Sequence, residues 1–231
     1  MPKKSVIIDF DNTIGYFEQL IYLINIVEKT YENNISNKEI FCLLDNYPYV
    51  FRPKLFEIFK LVNKHRKYNN MQFFILYTSN NQENFVHTIV DYLKYKFNQN
   101  NIIDYTIFEK SKVKSWQSLK EQMKYRINEN NILCFIDDKY FDYNSNNDFL
   151  NHNLKYITCE CYIYNYKLKD ILKYFPYNKF KLINSNLLKE YFKILNKRDK
   201  EKKRNIELPH KAYEYNSNHM CFLLDTYLSE S

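Results

Sequence analysis

Three short apolar runs in this chain each stop on residues that can do chemistry, and helix-patterned segments separate them. Val6-Ile7-Ile8 ends at Asp9, Met71–Tyr77 (apolar but for Gln72) ends at Thr78, and Ile132–Ile136 ends at Asp137-Asp138. Between them, Phe17, Leu20, Ile21, Ile24 and Val27 recur at helical spacing over 16–30. Leu55, Phe56, Phe59 and Val62 do the same, as do Phe85, Ile89, Tyr92 and Leu93 over 82–97, and 115–126 reads as a further helix. Apolar positions three and four apart bury one side of a helix, whereas a short, wholly apolar run suits a strand buried on both faces. The alternation predicts an α/β fold, a doubly wound, Rossmann-like parallel sheet flanked by helices. Ligands in such sheets bind beyond the C-terminal strand ends. That rule selects Asp9–Thr13, Thr78–Asn80 and Asp137-Asp138.

Several finer expectations follow. Ser36 and Glu39 have capping-box spacing ahead of a short helix over Ile40–Leu44. Arg52-Pro53 opens another helix, with proline in its first turn. Tyr105–Phe108 and Tyr156–Tyr164 read as strands, and 167–175 as a helix. Residues 15–50 form a small helical insert after the first strand. Residues 1–186 make one domain. In 187–231, amphipathic Leu187–Leu195 and the charge run Lys197–Arg204 read as an appended basic helix, followed by a partly ordered tail.

Composition removes whole function classes. The chain has one glycine in 231 residues. Gly-rich phosphate cradles need several, because only glycine combines positive φ with close approach of backbone to phosphate; dinucleotide-binding and Walker-type readings are excluded. The excess of Lys, Asn, Ile, Tyr and Phe matches AT-rich codons and carries little functional weight. No apolar stretch approaches the ~20 residues of a membrane-crossing helix, so no membrane partner is expected. The five cysteines contain no CxxC pair and point to reduced thiols in an intracellular setting. The formal charge of +7 is concentrated in 187–206, with eight Lys/Arg against three Asp/Glu. That run is either a solvated helix face or a contact for nucleic acid or another polyanion. Gly15 lies two residues beyond Asp9–Thr13, a placement that points to a backbone need there: a positive φ, or a hinge for the insert.

Asp9-Phe10-Asp11-Asn12-Thr13 is an Asp-x-Asp-x-Thr motif at a strand end. Two carboxylates two apart on a turning chain can face one site. One can attack phosphorus and become an aspartyl-phosphate; the other can protonate the leaving oxygen and then activate water. Asp137 and Asp138 repel one another unless a cation or partner compensates, and with Asp9 they can complete a Mg²⁺ site of carboxylates, water and phosphate oxygens. A hydroxyl of Thr78 or Ser79, with Asn80 and nearby backbone N–H groups, can hold phosphoryl oxygens. Lys114, at the start of the helix before the acidic strand, can neutralise both the phosphate and the aspartyl nucleophile.

Taken in order, these residues resemble the haloacid-dehalogenase-superfamily phosphatases. The similarity is greatest to the branch of NLI-interacting-factor-like and RNA-polymerase carboxy-terminal-domain phosphatases, and within it to small versions encoded by large DNA viruses. The matching stretches are Ile7–Phe17, Phe51-Arg52-Pro53, Leu76–Gln82, Val113-Lys114-Ser115-Trp116 and Cys134–Tyr140. The resemblance implies Asp9 as nucleophile and Asp11 as general acid/base, with the Asp11 backbone carbonyl also on Mg²⁺. It further implies Thr78 (or Ser79) as the phosphoryl-binding hydroxyl, Lys114 as the charge-stabilising lysine and Asp137 as metal carboxylate with Asp138 beside it. Thr13 would brace the loop beside the substrate. A phosphoprotein substrate and a host cytoplasm or virion follow from the same likeness. A phosphatase for nucleic-acid ends or nucleotides, and a catalytically weak binding protein, are the alternatives. Two stretches depart from the branch. Lys139-Tyr140-Phe141 stands where those protein phosphatases carry Ser-Pro, and 15–50 is helical instead of a β insert. Both weigh against an RNA-polymerase tail as substrate.

Overall fold

The computed structural model describes residues 3–31, 34–110, 114, 116–124, 131–139, 154–167, 170–171, 193 and 208–230. The chain divides into two compact units. The first takes in Met1–Ile14, Arg52–Tyr162 and Pro209–Ser231; the second takes in Gly15–Phe51 and Ile163–Leu208.

The first unit is a five-stranded, wholly parallel sheet in the order β3-β2-β1-β4-β5. Its strands are β1 (Lys4–Ile8), β2 (Phe73–Thr78), β3 (Tyr105–Phe108), β4 (Ile132–Asp137) and β5 (Leu154–Thr158). Six α-helices occur among the described residues: α1 (Glu18–Tyr31), α2 (Asn37–Asn46), α3 (Leu55–Lys67), α4 (Glu83–Phe97), α5 (Trp116–Met123) and α6 (His210–Ser229). The chain runs outward from β1 through α3, β2 and α4 to β3, then crosses back through α5 to β4 on the other side of β1. This is a doubly wound, Rossmann-like α/β fold. No described helix is long and apolar enough to cross a membrane.

Strand parity sorts the two faces. Ile7, Ile75, Tyr77, Ile107, Leu133 and Phe135 form one cluster with Leu119 and Met123 of α5. The opposite face receives α3 and α6. Phe59 of α3 meets Phe74 edge-on at 5.3 Å, and Phe97 of α4 packs on Phe56 and Phe59. On α6, the Tyr227 hydroxyl donates to the Ile132 carbonyl at 2.7 Å and lies 3.3 Å from the Ser5 carbonyl, and Lys4 donates back to the Tyr227 and Glu230 carbonyls.

That last helix corrects the expectation of a partly ordered tail. Its buried positions Tyr213, Ser217, Met220, Leu224, Tyr227 and Leu228 keep helical spacing. The stripe is obscured in the sequence because a serine and two tyrosines stand where a hydropathy pattern looks for aliphatic residues. The expected basic helix over 187–206, the end of the 115–126 helix and most of 167–175 lie outside the described residues.

Two boundaries also shift. The last strand is Leu154–Thr158, not Tyr156–Tyr164. The Cys159 N–H still bonds to Asp137 at 3.0 Å, after which the chain leaves the ladder and the Tyr162 N–H reaches Asn12 at 2.8 Å. Pro53 precedes α3 instead of entering its first turn, because Lys54 takes a left-handed φ of 60° at the cap.

In the second unit, α2 has the expected capping box: Ser36 accepts from the Glu39 N–H, and Glu39 accepts from the Ser36 N–H at 3.0 Å. Gln19 of α1 pairs with the backbone of Tyr166, accepting from its N–H at 2.8 Å. The Tyr47 hydroxyl donates to Ile171 at 2.7 Å. The insert is therefore bipartite, built from 15–51 together with residues after Tyr162.

Gly15 does serve a backbone need, but not through positive φ, which it lacks. It forms an antiparallel bridge with Phe51, and an added Cβ would stand 2.3 Å from the Val50 carbonyl oxygen and 2.6 Å from the Phe17 ring. Close approach, not a left-handed turn, demands the missing side chain. The positive φ nearby belongs to Asn12, at 62°.

Candidate active site

Sheet register alone makes Asp9 and Asp137 neighbours. Ile8 pairs with Ile136 across the parallel β1–β4 ladder, and the Asp9 N–H extends that ladder to the Ile136 carbonyl at 2.9 Å. Asp9 and Asp137 share the odd parity of the α5-covered face, and so does Tyr77 on the other neighbouring strand. Lys114, just ahead of α5, lies over these three strand ends. Its ammonium donates to Asp9 and, at 2.8 Å, to Asp137, and stands 5.7 Å from the centroid of the Tyr77 ring. The Tyr77 hydroxyl in turn bonds to the buried Glu109.

All three charged groups are nearly inaccessible, with residue exposures of 5% for Asp9, 6% for Lys114 and 1% for Asp137. Burial pushes the Asp9 carboxyl up to about 6 against the opposing pull of Lys114. It also raises Asp137, again against Lys114. Asp138 is raised by burial and then by the Asp9 charge. For Lys114, burial acts to lower the pKa, but the charges of Asp9 and Asp137 outweigh it and hold the ammonium above its ordinary value. Lys114 thus faces two of the three carboxylates and the Lys139 charge acts on Asp138, so three acids meet two ammoniums, and the remaining negative charge is what a further cation would relieve.

Thr13 ties the loops together. Its hydroxyl accepts from the Asp138 N–H at 3.0 Å, meets the Cys159 thiol at 3.8 Å, and acts to lower the Asp9 carboxyl against its burial. Asp11 is partly exposed and held at both carboxylate oxygens by the Asn80 amide, at 3.0 and 3.1 Å. Thr78 accepts from the Asn80 N–H at 3.0 Å, fixing the residue that fixes Asp11.

The sequence-derived set accordingly splits. Asp9, Thr13, Lys114, Asp137 and Asp138 converge, and Asp11, Thr78 and Asn80 form a connected second group. Thr13 and Thr78 have no exposed surface, and their hydroxyls accept from the Asp138 and Asn80 N–H groups. Asn80 is an orienting residue for Asp11. Ser79 is exposed and is the hydroxyl of this loop that faces solvent. Three contributors had no role assigned in the sequence: Tyr77 and Arg52, which lie inside matching stretches without a function of their own, and Cys161, whose thiol is raised by burial and then by the nearby Asp138 charge.

Asp9, Asp137 and Asp138 each offer an oxygen, and the three atoms lie within 4.8 Å of one another. Hard, anionic oxygen donors of this kind suit Mg²⁺ and not a thiophilic ion. With the unbalanced negative charge, the donor set fits the metal.

The chain matches no family model, no curated protein and no solved structure.

Proposed function

We propose that this chain is a Mg²⁺-dependent phosphomonoesterase of the haloacid-dehalogenase type. The observation that carries the reading is Lys114 joining Asp9 to Asp137 at adjacent strand ends, with Asp11, two residues on, held through both oxygens by Asn80.

In this reading an Asp9 carboxylate oxygen attacks phosphorus and the bond to the leaving oxygen breaks. Protonated Asp11 delivers its proton to that oxygen, so the leaving group departs as an alcohol. Asp11, now a carboxylate, takes a proton from water as the water attacks the aspartyl-phosphate. Inorganic phosphate leaves and Asp9 is restored. The Lys114 ammonium offsets charge on Asp9 and on the phosphoryl oxygens. Mg²⁺ held by Asp9 and Asp137, with Asp138 beside them, would supply the remaining positive charge. Asn80 keeps Asp11 from rotating away, and Thr13 ties the loop that carries Asp9 to Asp138.

A phosphoprotein substrate rests on the family resemblance alone. The test is turnover of p-nitrophenyl phosphate, phosphopeptides and 3′- or 5′-phosphorylated oligonucleotides by wild type and Asp9→Asn, with Mg²⁺ and with chelator. Mg²⁺-requiring turnover that is lost in Asp9→Asn supports the reading. No turnover of any of these substrates, or equal turnover by the variant, overturns it.

A further inference from the structure

Arg52 is 2% exposed and is joined to the loop that carries Asp9 and Asp11 at three successive carbonyls. Its backbone N–H donates to Ile14 at 2.9 Å, its Nε to Thr13 at 2.7 Å and one Nη to Asn12 at 2.7 Å. The same Nη donates to the Glu160 carbonyl and contacts the Cys159 sulfur at 3.6 Å. The other Nη donates to the Asn216 side chain of α6 at 3.2 Å. Asn216 also accepts from the Glu160 N–H at 3.2 Å. The guanidinium lies 5.5 Å from the Tyr162 ring centroid.

A buried guanidinium normally pairs with a carboxylate, because taking its charge out of water is costly. Among the described residues, the hydrogen-bond acceptors of Arg52 are carbonyl and amide oxygens and a sulfur. Its donors are therefore satisfied only while the Asn12–Ile14 carbonyls turn inward, with Asn12 in its left-handed conformation. Charge and loop shape are locked together. The planar fork requires this geometry and the amide of Asn216 sets its orientation.

We propose that Arg52 is a positioning residue for the Asp9–Thr13 loop, and that the C-terminal helix controls the geometry of the candidate metal site through Asn216. The second clause rests on the phosphatase reading; the first does not. α6 then acts on the site as well as covering the sheet. Asn216 reaches Arg52, Arg52 reaches the Asn12 and Thr13 carbonyls on the loop that leads out of Asp9, and Thr13 reaches Asp138.

The experiment uses the full chain with Asn216→Leu, Asn216→Asp and Arg52→Lys. Amide exchange is read at Ile14 (bonded to Phe10) and Tyr162 (bonded to Asn12), with Asp104 (bonded to Phe74) as a distant control. Asn216→Leu is expected to speed exchange at Ile14 and Tyr162 about tenfold with Asp104 unchanged. It is also expected to weaken Mg²⁺ or Mn²⁺ binding about tenfold. Asn216→Asp retains an acceptor oxygen and restores both. Arg52→Lys keeps the charge but not the fork and behaves like Asn216→Leu or worse. Unchanged exchange at Ile14 and Tyr162, or equal acceleration at Asp104, overturns the positioning role. If wild type binds neither metal, the phosphatase reading and the metal clause fall, while exchange still decides the role of Arg52.

Discussion

The Lys114 ammonium donates to Asp137 across 2.8 Å while also holding Asp9, so a single cation bridges carboxylates from two neighbouring strands. Removing one member of a buried ion pair costs about 3–5 kcal/mol, because the other charge is left without compensation. Lys114→Met should lower the melting temperature of chelator-treated protein by several degrees. Mg²⁺ should recover part of that loss, since it supplies positive charge to the same acids. Calorimetry with and without Mg²⁺ checks this, and an unchanged melting temperature in the variant would refute the bridging role.

The raised Asp9 carboxyl sets a pH dependence whose sign can be worked out. Unfolded, Asp9 loses its proton near pH 4; folded and metal-free, it keeps the proton to about pH 6. Between those values the folded state binds more protons, so stability falls as pH rises through the window and levels off above it. Asp9→Asn removes this contribution, and its stability should decline less between pH 4 and 6. Denaturant midpoints measured across that range in chelator provide the comparison; equal slopes would count against a protonated Asp9.

Asn80 gives Asp11 its orientation through both carboxylate oxygens. Asn80→Ala should reduce kcat more than it raises KM, by about tenfold, whereas Asp11→Asn should cost about 10²–10⁴-fold as expected for a lost general acid/base. In the double variant the effect of Asn80→Ala should vanish, because there is no acid left to orient. Additive losses instead would show Asn80 acting independently of Asp11.

Gly15→Ala is expected to destabilise the protein by about 1–3 kcal/mol, the usual cost of forcing a group into filled space. The obstruction includes a backbone oxygen at 2.3 Å, which cannot rotate aside as a side chain does. A chemical-denaturation series on wild type and variant measures it. A neutral result would mean that the Gly15–Phe51 bridge opens freely.

Much of the sheet was legible because the middle of a parallel strand covered on both faces is a continuous apolar run. Val6–Ile8, Phe73–Tyr77 and Ile132–Ile136 are apolar on both faces and lie inside strands. Asp9, Thr78 and Asp137 stood out as the first polar residues after these runs. Helix α6 was illegible for the opposite reason: Ser217, Tyr213 and Tyr227 pass as surface residues until tertiary packing buries them.

The linear chain by itself determined the α/β alternation, the capping box at Ser36, and the placing of Asp9, Thr78 and Asp137 at strand ends, because strand and helix periodicity and local capping are short-range properties. Strand order, parity and the crossover through α5 decided what those residues touch. They brought Asp9 and Asp137 under Lys114, turned Thr13 and Thr78 inward, and set Asn216 of α6 against Arg52. Contacts between residues a hundred or more positions apart leave no periodic mark in the sequence, since they exist only once the sheet has fixed which strand lies beside which.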